Sequence, residues 1–352
     1  MKPPSNPKPQ TPSLKQQTLI PIADYATSST ILRQALNDTR SSKISIPNIK
    51  QVLLITRPNF NLEDETIEMA SFFAERGIRV RVGAEIPVDD SVSERYPNLI
   101  SSWDLEYCRL NGDDVDLVVT LGGDGTVLYS SSLFQERVPP IVAFHLGSLG
   151  FLTVFKHDTY QSNLNLRMRL QADIYEKKEG DTSDDLGELI FTWKVLNEVV
   201  VDRGVNSTMV NLDLFADGDP ITTVLADGLV VATPTGSTAY NLSAGGPLVH
   251  HPITPICPHT LTARPMLLPS SLELRLSLSP NARGSAWVSF DGRDRLEIGE
   301  GTSVLIRTAV SSPFPSISHE SSSKDWFNSL VSSLGWNSRI PQKKNRIPPS
   351  KL

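Results

Sequence analysis

The chain has 352 residues, with 39 acidic and 33 basic side chains, a formal net charge of −6 and 39% hydrophobic residues. That length fits about two ordinary domains with enough apolar content to bury a core in each, and the acidic balance argues against a broad electrostatic surface for nucleic acid. The two cysteines, Cys108 and Cys257, are too far apart in sequence for a zinc site or a disulfide-stapled scaffold, and no apolar run reaches the length of a membrane span.

In chain order, residues 1–45 carry Pro3, Pro4, Pro7, Pro9 and Pro12 among Ser, Thr, Lys and Gln, a composition that predicts a disordered tail. It has no signal-peptide pattern, so a cytoplasmic location is expected. Val52 to Ile55 reads as a buried strand. Ile67, Ala70 and Phe73 share one helix face that ends near Gly77. Ile78, Val80 and Val82 alternate with Arg79 and Arg81, as in an edge or half-buried strand. Val115 to Leu121 reads as a strand, Val127 to Phe134 as a helix and Ile141 to Phe144 as another strand. Strand and helix alternate, which predicts an α/β domain over 46–155, a parallel sheet covered by helices with ligands at the carboxyl ends of its strands.

From about residue 189 the pattern changes to short strands and turns, and an all-β domain is expected over 156–312, with 176–188 as a charged surface loop. Its candidate strands are Leu189–Val201, Met209–Phe215, Ile221–Leu225, Leu229–Thr233, Leu272–Leu278, Ala286–Phe290 and Val304–Arg307. A C-terminal segment over 313–336, with Trp326, Phe327, Leu330, Val331 and Leu334 at helical spacing, is expected to dock on the α/β domain, and 337–352 to be a solvated tail.

Three stretches carry chemistry. Gly122-Gly123-Asp124-Gly125-Thr126 follows a strand and opens a helix, where glycine amides and the helix dipole suit phosphate oxygens. It is neither the GxxxxGK[ST] loop nor GxGxxG. A carboxylate inside an anion site is unfavourable unless a cation, a hydroxyl proton or a basic neighbour offsets it. Asn197-Glu198 sets an amide beside a carboxylate in an apolar strand, suited to an adenine edge or ribose hydroxyls, but consecutive strand residues face opposite ways unless a bulge or strand end aims both at one ligand. Thr233-Pro234-Thr235-Gly236-Ser237-Thr238-Ala239-Tyr240, which leads on to Ser243, is built of small residues that let a ligand lie close to the backbone.

The glycine stretch resembles the signature shared by NAD kinases, lipid kinases and, more distantly, phosphofructokinases. Asn197-Glu198, Asp202-Arg203-Gly204, Ala226-Asp227-Gly228 and the 233–240 stretch match NAD kinase motifs in order and at similar spacing, and Ser289-Phe290-Asp291-Gly292-Arg293 looks like the eukaryotic cytosolic branch. The resemblance implies an NAD kinase-like fold, an α/β nucleotide-binding domain followed by an all-β NAD-binding domain. It implies phosphoryl transfer from ATP, with Mg²⁺ or another divalent metal, to the 2′-hydroxyl of the adenosine ribose of NAD. Carried over, Asp124 is catalytic and Gly125, Phe151, Asn197, Glu198, Asp227, Thr235, Thr238, Ala239, Tyr240 and Ser243 contact NAD. Gly122, Gly123, Gly125 and Thr126 hold ATP phosphate. No dedicated metal ligands are expected, the partners are NAD and ATP with no nucleic acid or membrane, and the assembly is a homo-oligomer, a dimer or tetramer.

One departure stands out. Between Leu248 and Pro255 the chain is several residues shorter than the family's usual stretch, which implies strain or opening in the β domain. A catalytically impaired NAD-binding homologue is therefore one alternative, and a lipid kinase with the same glycine signature is another.

Overall fold

The apolar runs of the N-terminal half form the centre of a parallel sheet. The computed structural model describes residues 49–56, 62–146, 150–153, 155, 163–178, 186–248, 252–260, 262–280, 282–318 and 322–335. The tails expected at 1–45 and 337–352, residues 147–149 beside Phe151, and 179–185 of the expected loop lie outside that set. The chain runs β1 (Gln51–Thr56), α1 (Glu63–Ala74), β2 (Arg79–Gly83), α2 (Asp90–Arg95), β3 (Ile100–Trp103), α3 (Leu105–Leu110), β4 (Leu117–Gly122), α4 (Asp124–Leu133) and β5 (Ile141–His145). The five strands pair in parallel in the order β3-β2-β1-β4-β5. All six residues of β1 are buried, as expected for a central strand covered on both faces. Its alternate residues feed two cores: Leu53 and Ile55 join Val118, Val127 and Ile141, whereas Val52 and Leu54 join Val80, Val82 and Val119.

The strand at Val80 and Val82 is not at the edge. β3 covers it, and the sequence signal for β3 is weak because only Ile100 and Trp103 of its four residues are large and apolar.

The second half runs β6 (Asn163–Arg167), β7 (Leu170–Glu176), β8 (Glu188–Val195), β9 (Glu198–Asp202), β10 (Val210–Ala216), β11 (Asp219–Ala226), β12 (Gly228–Ala232), α5 (Tyr240–Ser243), β13 (Pro252–Ile256) and β14 (Met266–Leu267). It continues with β15 (Leu274–Leu278), β16 (Ala286–Phe290), β17 (Arg293–Ile298), β18 (Thr302–Thr308), β19 (Phe314–Ser318) and α6 (Ser322–Leu334). β19 pairs in parallel with β5 and antiparallel with β6, so both strands complete the α/β sheet. The all-β part therefore begins at β7 rather than at residue 156. Its two antiparallel sheets have the orders β11-β10-β15-β18-β7-β8 and β14-β13-β12-β9-β16-β17. Leu212, Leu276 and Val304 of the first sheet share a core with Val199, Val201, Val231 and Val288 of the second.

Two expectations change here. Leu189–Val201 is not one strand: β8 and β9 belong to different sheets, and the chain turns between them at Leu196 and Asn197. The short stretch before Pro255 still supplies β13, which pairs with β12 from Gly228↔Ile256 to Val231↔Ile253 and also with β14. The short connection thus leaves this strand in its ladder; residues 249–251 lie outside the described set.

A fully buried cation fastens the two parts of the chain. Arg169, with no exposed surface, donates from Nε to the Ser312 carbonyl at 2.8 Å and from its terminal nitrogens to the carbonyls of Phe134 at 2.8 Å, Gln135 at 3.1 Å and Ser131 at 3.4 Å. It also donates to the Ser312 hydroxyl. Burial lowers its pKa to about 10, against the favourable fields of Asp291 and Glu136. Removing the guanidinium leaves several carbonyls without a donor, at about 1 to 3 kcal/mol for each one left unsatisfied. Arg169→Met should therefore lower the free energy of urea unfolding by about 3 kcal/mol or more. An unchanged urea midpoint would show that the neighbouring backbone does not depend on it.

Candidate functional site

β4 ends at Gly122, Gly123 is the extended N-cap residue of α4, and Asp124 is the first residue of that helix. The Asp124 carboxylate faces the segment after β5. Its Oδ2 accepts from Phe151 N–H at 2.9 Å, and its Oδ1 accepts from Leu152 N–H at 3.0 Å, Thr153 N–H at 3.3 Å and the Thr153 hydroxyl at 3.3 Å. These donors, with Arg167 nearby, offset the charge that the sequence left unexplained. Glycine is needed at 150 for this approach, because a Cβ there would stand 2.1 Å from Asp124 Oδ1. Gly123 and Gly125 are exposed with open space beside them. Thr126 has a buried side chain whose Oγ1 lacks a hydrogen-bond partner, and its N–H is donated to the Gly123 carbonyl.

The turn between β8 and β9 is held by one residue. Asp291 accepts from the backbone N–H groups of Leu196 at 2.8 Å, Asn197 at 2.7 Å and Glu198 at 3.0 Å, and its own N–H donates to the Glu198 carbonyl at 3.0 Å. Asn197 therefore sits in the bend and Glu198 at the first position of β9, which frees the pair from strict strand alternation. Val199 and Val201 enter the sandwich core, whereas Val200 packs with Val230 and Ala232 on the opposite face, the face that Glu198 shares. Asn197 Oδ1 and Glu198 Oε2 are both buried without a hydrogen-bond partner. Buried acceptors of this kind are rare in folded proteins and carry a desolvation cost.

The 233–240 stretch closes over this bend. Thr233 donates from N–H to the Asn197 carbonyl at 2.8 Å and from its hydroxyl to the Leu196 carbonyl at 2.5 Å, and Gly236 N–H donates to Thr233 Oγ1 at 3.0 Å. A Cβ at Gly236 would lie 2.1 Å from the Asn197 carbonyl oxygen, so this contact also requires glycine. Thr235, Thr238 and Ala239 are half-buried, and Tyr240 and Ser243 are exposed. Burial, then Asp202, Cys257, Glu198 and Asp227, raise the Tyr240 pKa, which puts its hydroxyl within the field of those groups. The Asp227 carboxylate is paired with Arg203 Nε at 2.8 Å.

Leu196 packs with Val127 of α4 and Leu152 in one core cluster, which ties the Asn197 bend to the Asp124 helix. Arg167 links them again: its terminal nitrogen donates to Thr235 Oγ1 at 3.5 Å, and Asp124 supplies the largest field favouring its charge. Arg167 and Asp291 are the two residues of this arrangement to which sequence reading gave no role. Asp291-Gly292 reads as a turn, and the positive φ of 50° at Asp291 fits one, but nothing local reveals a partner 93 to 95 positions away.

Residues 52–171 match the family model of the ATP-NAD kinase N-terminal domain, and residues 196–317 match that of the ATP-NAD kinase C-terminal domain. The ATP-NADH kinase YEF1 of Saccharomyces cerevisiae is 43% identical over 267 residues, covering 70% of this chain and 53% of that protein. The NAD(+) kinase of the same yeast is 37% identical over 351 residues, covering 91% of this chain and 66% of that protein. The chain thus spans between about half and two thirds of the length of these curated relatives. Among solved structures, yeast NADH kinase complexed with NADH aligns with a TM-score of 0.73 at 27% identity, over 85% of this chain and 91% of that one.

Burial, and secondarily Asp291, push the Glu198 carboxyl up from 4.5 to about 8. The folded protein then keeps a proton that the unfolded chain releases, so the stabilisation is present below the unfolded pKa and is lost as pH rises through the folded one. Unfolding free energies of the parent and of Glu198→Gln, measured by urea between about pH 5 and pH 8, should diverge, with the parent losing stability relative to the variant. Parallel profiles would mean that Glu198 titrates as an ordinary exposed carboxylate.

Proposed function

The chain belongs to the ATP-NAD kinase family, and on that premise we propose that it transfers the terminal phosphoryl group of ATP to the 2′-hydroxyl of the adenosine ribose of NAD, giving NADP and ADP. The observation that carries this reading is the meeting of three segments: Asp124 beside an open glycine turn, the Asn197–Glu198 bend with two buried unpartnered oxygens, and the small-residue stretch closed over that bend. Asn197 and Glu198 would receive the adenosine, Glu198 as a carboxylic acid able to donate to a ribose or base acceptor. Thr235, Thr238, Ala239, Tyr240 and Ser243 would line the remainder of the dinucleotide site, with Asp227 held by Arg203 and Phe151 beside the Asp124 contact.

In the transfer, the bond between the terminal phosphorus of ATP and its β,γ-bridging oxygen breaks and ADP leaves, a bond from that phosphorus to the ribose 2′-oxygen forms, and the hydroxyl proton passes to the Asp124 carboxylate. Asp124 Oδ2 accepts one protein hydrogen bond where Oδ1 accepts three, so Oδ2 keeps acceptor capacity for that hydroxyl. Orientation of this kind, with charge neutralisation, supplies most of the catalysis in phosphoryl transfer. The amides at Gly122, Gly123 and Gly125 would hold phosphate oxygens. We take Mg²⁺ to enter on the triphosphate and neutralise its charge, since this ion keeps several waters and is commonly bound through substrate phosphates.

We further propose a homo-oligomer, a dimer or tetramer, because apolar residues are exposed on two outermost strands, Leu189 and Ile190 of β8 and Met266 and Leu267 of β14. A cytoplasmic location is also proposed; among the described residues no helix is long and apolar enough to cross a membrane.

The purified chain, given ATP, Mg²⁺ and NAD, should form NADP, and parallel reactions with NADH would define the acceptor. Asp124→Asn should reduce turnover by about 10²- to 10⁴-fold while NAD still binds. Because Asp124 also anchors Phe151 to Thr153, the thermal midpoint of the variant belongs beside its rate. Near-normal turnover in a folded variant would remove both the proton-accepting and the orienting role.

A further inference from the structure

Two arginines stand two positions apart at the end of β6, and the structure uses them differently. Arg169 has its donors taken up by buried carbonyls and the Ser312 hydroxyl. Arg167 is half-buried; its hydrogen bond to Thr235 is long, at 3.5 Å, and its Nε is buried with no partner at all. Burial works against its charge, while Asp124 first and Asp325 second favour it. Even so, among the described residues the Arg167 guanidinium forms no ion pair with a carboxylate. Arg203 and Arg295 are paired with Asp227 and Asp202, and Arg293 stands over the Tyr129 ring of α4.

We infer that Arg167 is a phosphate-binding residue of this site, a guanidinium fork that takes the terminal phosphate of the nucleotide triphosphate beside Asp124. The inference rests on the proposed phosphoryl transfer for its catalytic consequence, though not for the binding itself. A planar fork with free N–H donors matches two oxygens of one phosphate, which a lysine ammonium engages only as a point charge. Arg167 hydrogen-bonds Thr235 on the dinucleotide side and lies within the field of Asp124 on the phosphate side. During transfer it makes and breaks no covalent bond; it neutralises charge on the non-bridging oxygens of the group in transit.

The position of α6 fits this role. Asp325 on that helix is buried and acts on Arg167, and Ser329 donates to the Gly150 carbonyl at 3.1 Å, next to the segment that Asp124 holds. The C-terminal helix therefore backs both the cation and the carboxylate.

The test uses the full chain with Arg167→Met and Arg167→Lys. Calorimetric titrations with Mg·ATP and, separately, with NAD give binding, and NADP formation gives kcat. Arg167→Met is expected to weaken Mg·ATP binding about tenfold or more and to lower kcat about 10²-fold or more, with NAD affinity and thermal midpoint close to the parent. Arg167→Lys should recover part of the binding and little of the rate. If the parent binds Mg·ATP in an Arg167-dependent way yet forms no NADP, the phosphate role stands and the NAD kinase reading falls. If the parent turns over and Arg167→Met matches it in Mg·ATP binding and kcat, the inference is overturned while the kinase reading survives. A loss in Arg167→Met that falls on NAD affinity or thermal midpoint, with Mg·ATP binding unchanged, would equally overturn it.

Discussion

The arrangement depends on one buried guanidinium. Arg169 lies where the chain leaves the α/β sheet for the sandwich, and it binds carbonyls from the end of α4, from Gln135 and from Ser312, just before the return strand β19. A charge without exposed surface is costly unless its donors are satisfied, and here several donors converge on elements that would otherwise have no reason to meet. The result is a fixed crossing in both directions. β6 and β19 finish the α/β sheet with the outgoing and returning segments held against the same helix end. The field of Arg169 also favours the charge on Asp291, so the crossing and the Asn197 bend are electrostatically linked.

Asp291 does the complementary work. A continuous strand from β8 into β9 would direct Asn197 and Glu198 to opposite faces, one into the core. Three consecutive N–H groups turned toward one carboxylate break the ladder at that point, satisfy the backbone donors freed by the break, and bring β9 into the second sheet. The stability cost is local: two side-chain oxygens remain buried without partners. Polar atoms left in that condition inside an otherwise well-packed wall are what a ligand-binding surface provides and what a purely structural turn would avoid.

Much of the fold could be read from the sequence because its signals are local. The buried runs of β1, β4 and β5, the alternation of Leu274, Leu276 and Leu278, and the glycine turn before α4 each need only a few consecutive residues. The features that escaped are non-local or sparse. β3 has two large apolar residues, β14 has two residues in all, and β19 reads as a Ser- and Pro-rich connection. The break at Leu196–Asn197 is set by a residue far along the chain, and the pattern there is as apolar as an uninterrupted strand. Family resemblance supplied the candidate site residues as a set, but it could not reveal that Asp124 is already an anchor for Phe151 to Thr153, that Thr126 turns inward, or that Arg167 and Arg169 have opposite fates.

Those two fates bear on how an acidic chain would hold the two anionic nucleotides proposed for it. The formal charge of −6 and the carboxylates at 124, 198, 202, 227 and 291 suggest a repulsive site, yet each is balanced in place. Asp202 and Asp227 are paired with arginines. Asp124 and Asp291 accept three backbone N–H groups each. Burial keeps Glu198 protonated up to about pH 8. Against that neutralised background the Arg167 guanidinium, which forms no ion pair among the described residues, can set the sign of the local field, because interactions in a poorly solvated crevice are weakly screened compared with those at the surface. Deprotonation of Glu198 above about pH 8 would add an unbalanced negative charge to the same wall, placed where the dinucleotide would lie. Charge at this site is therefore governed by how each carboxylate is held, and net composition is a poor guide to it.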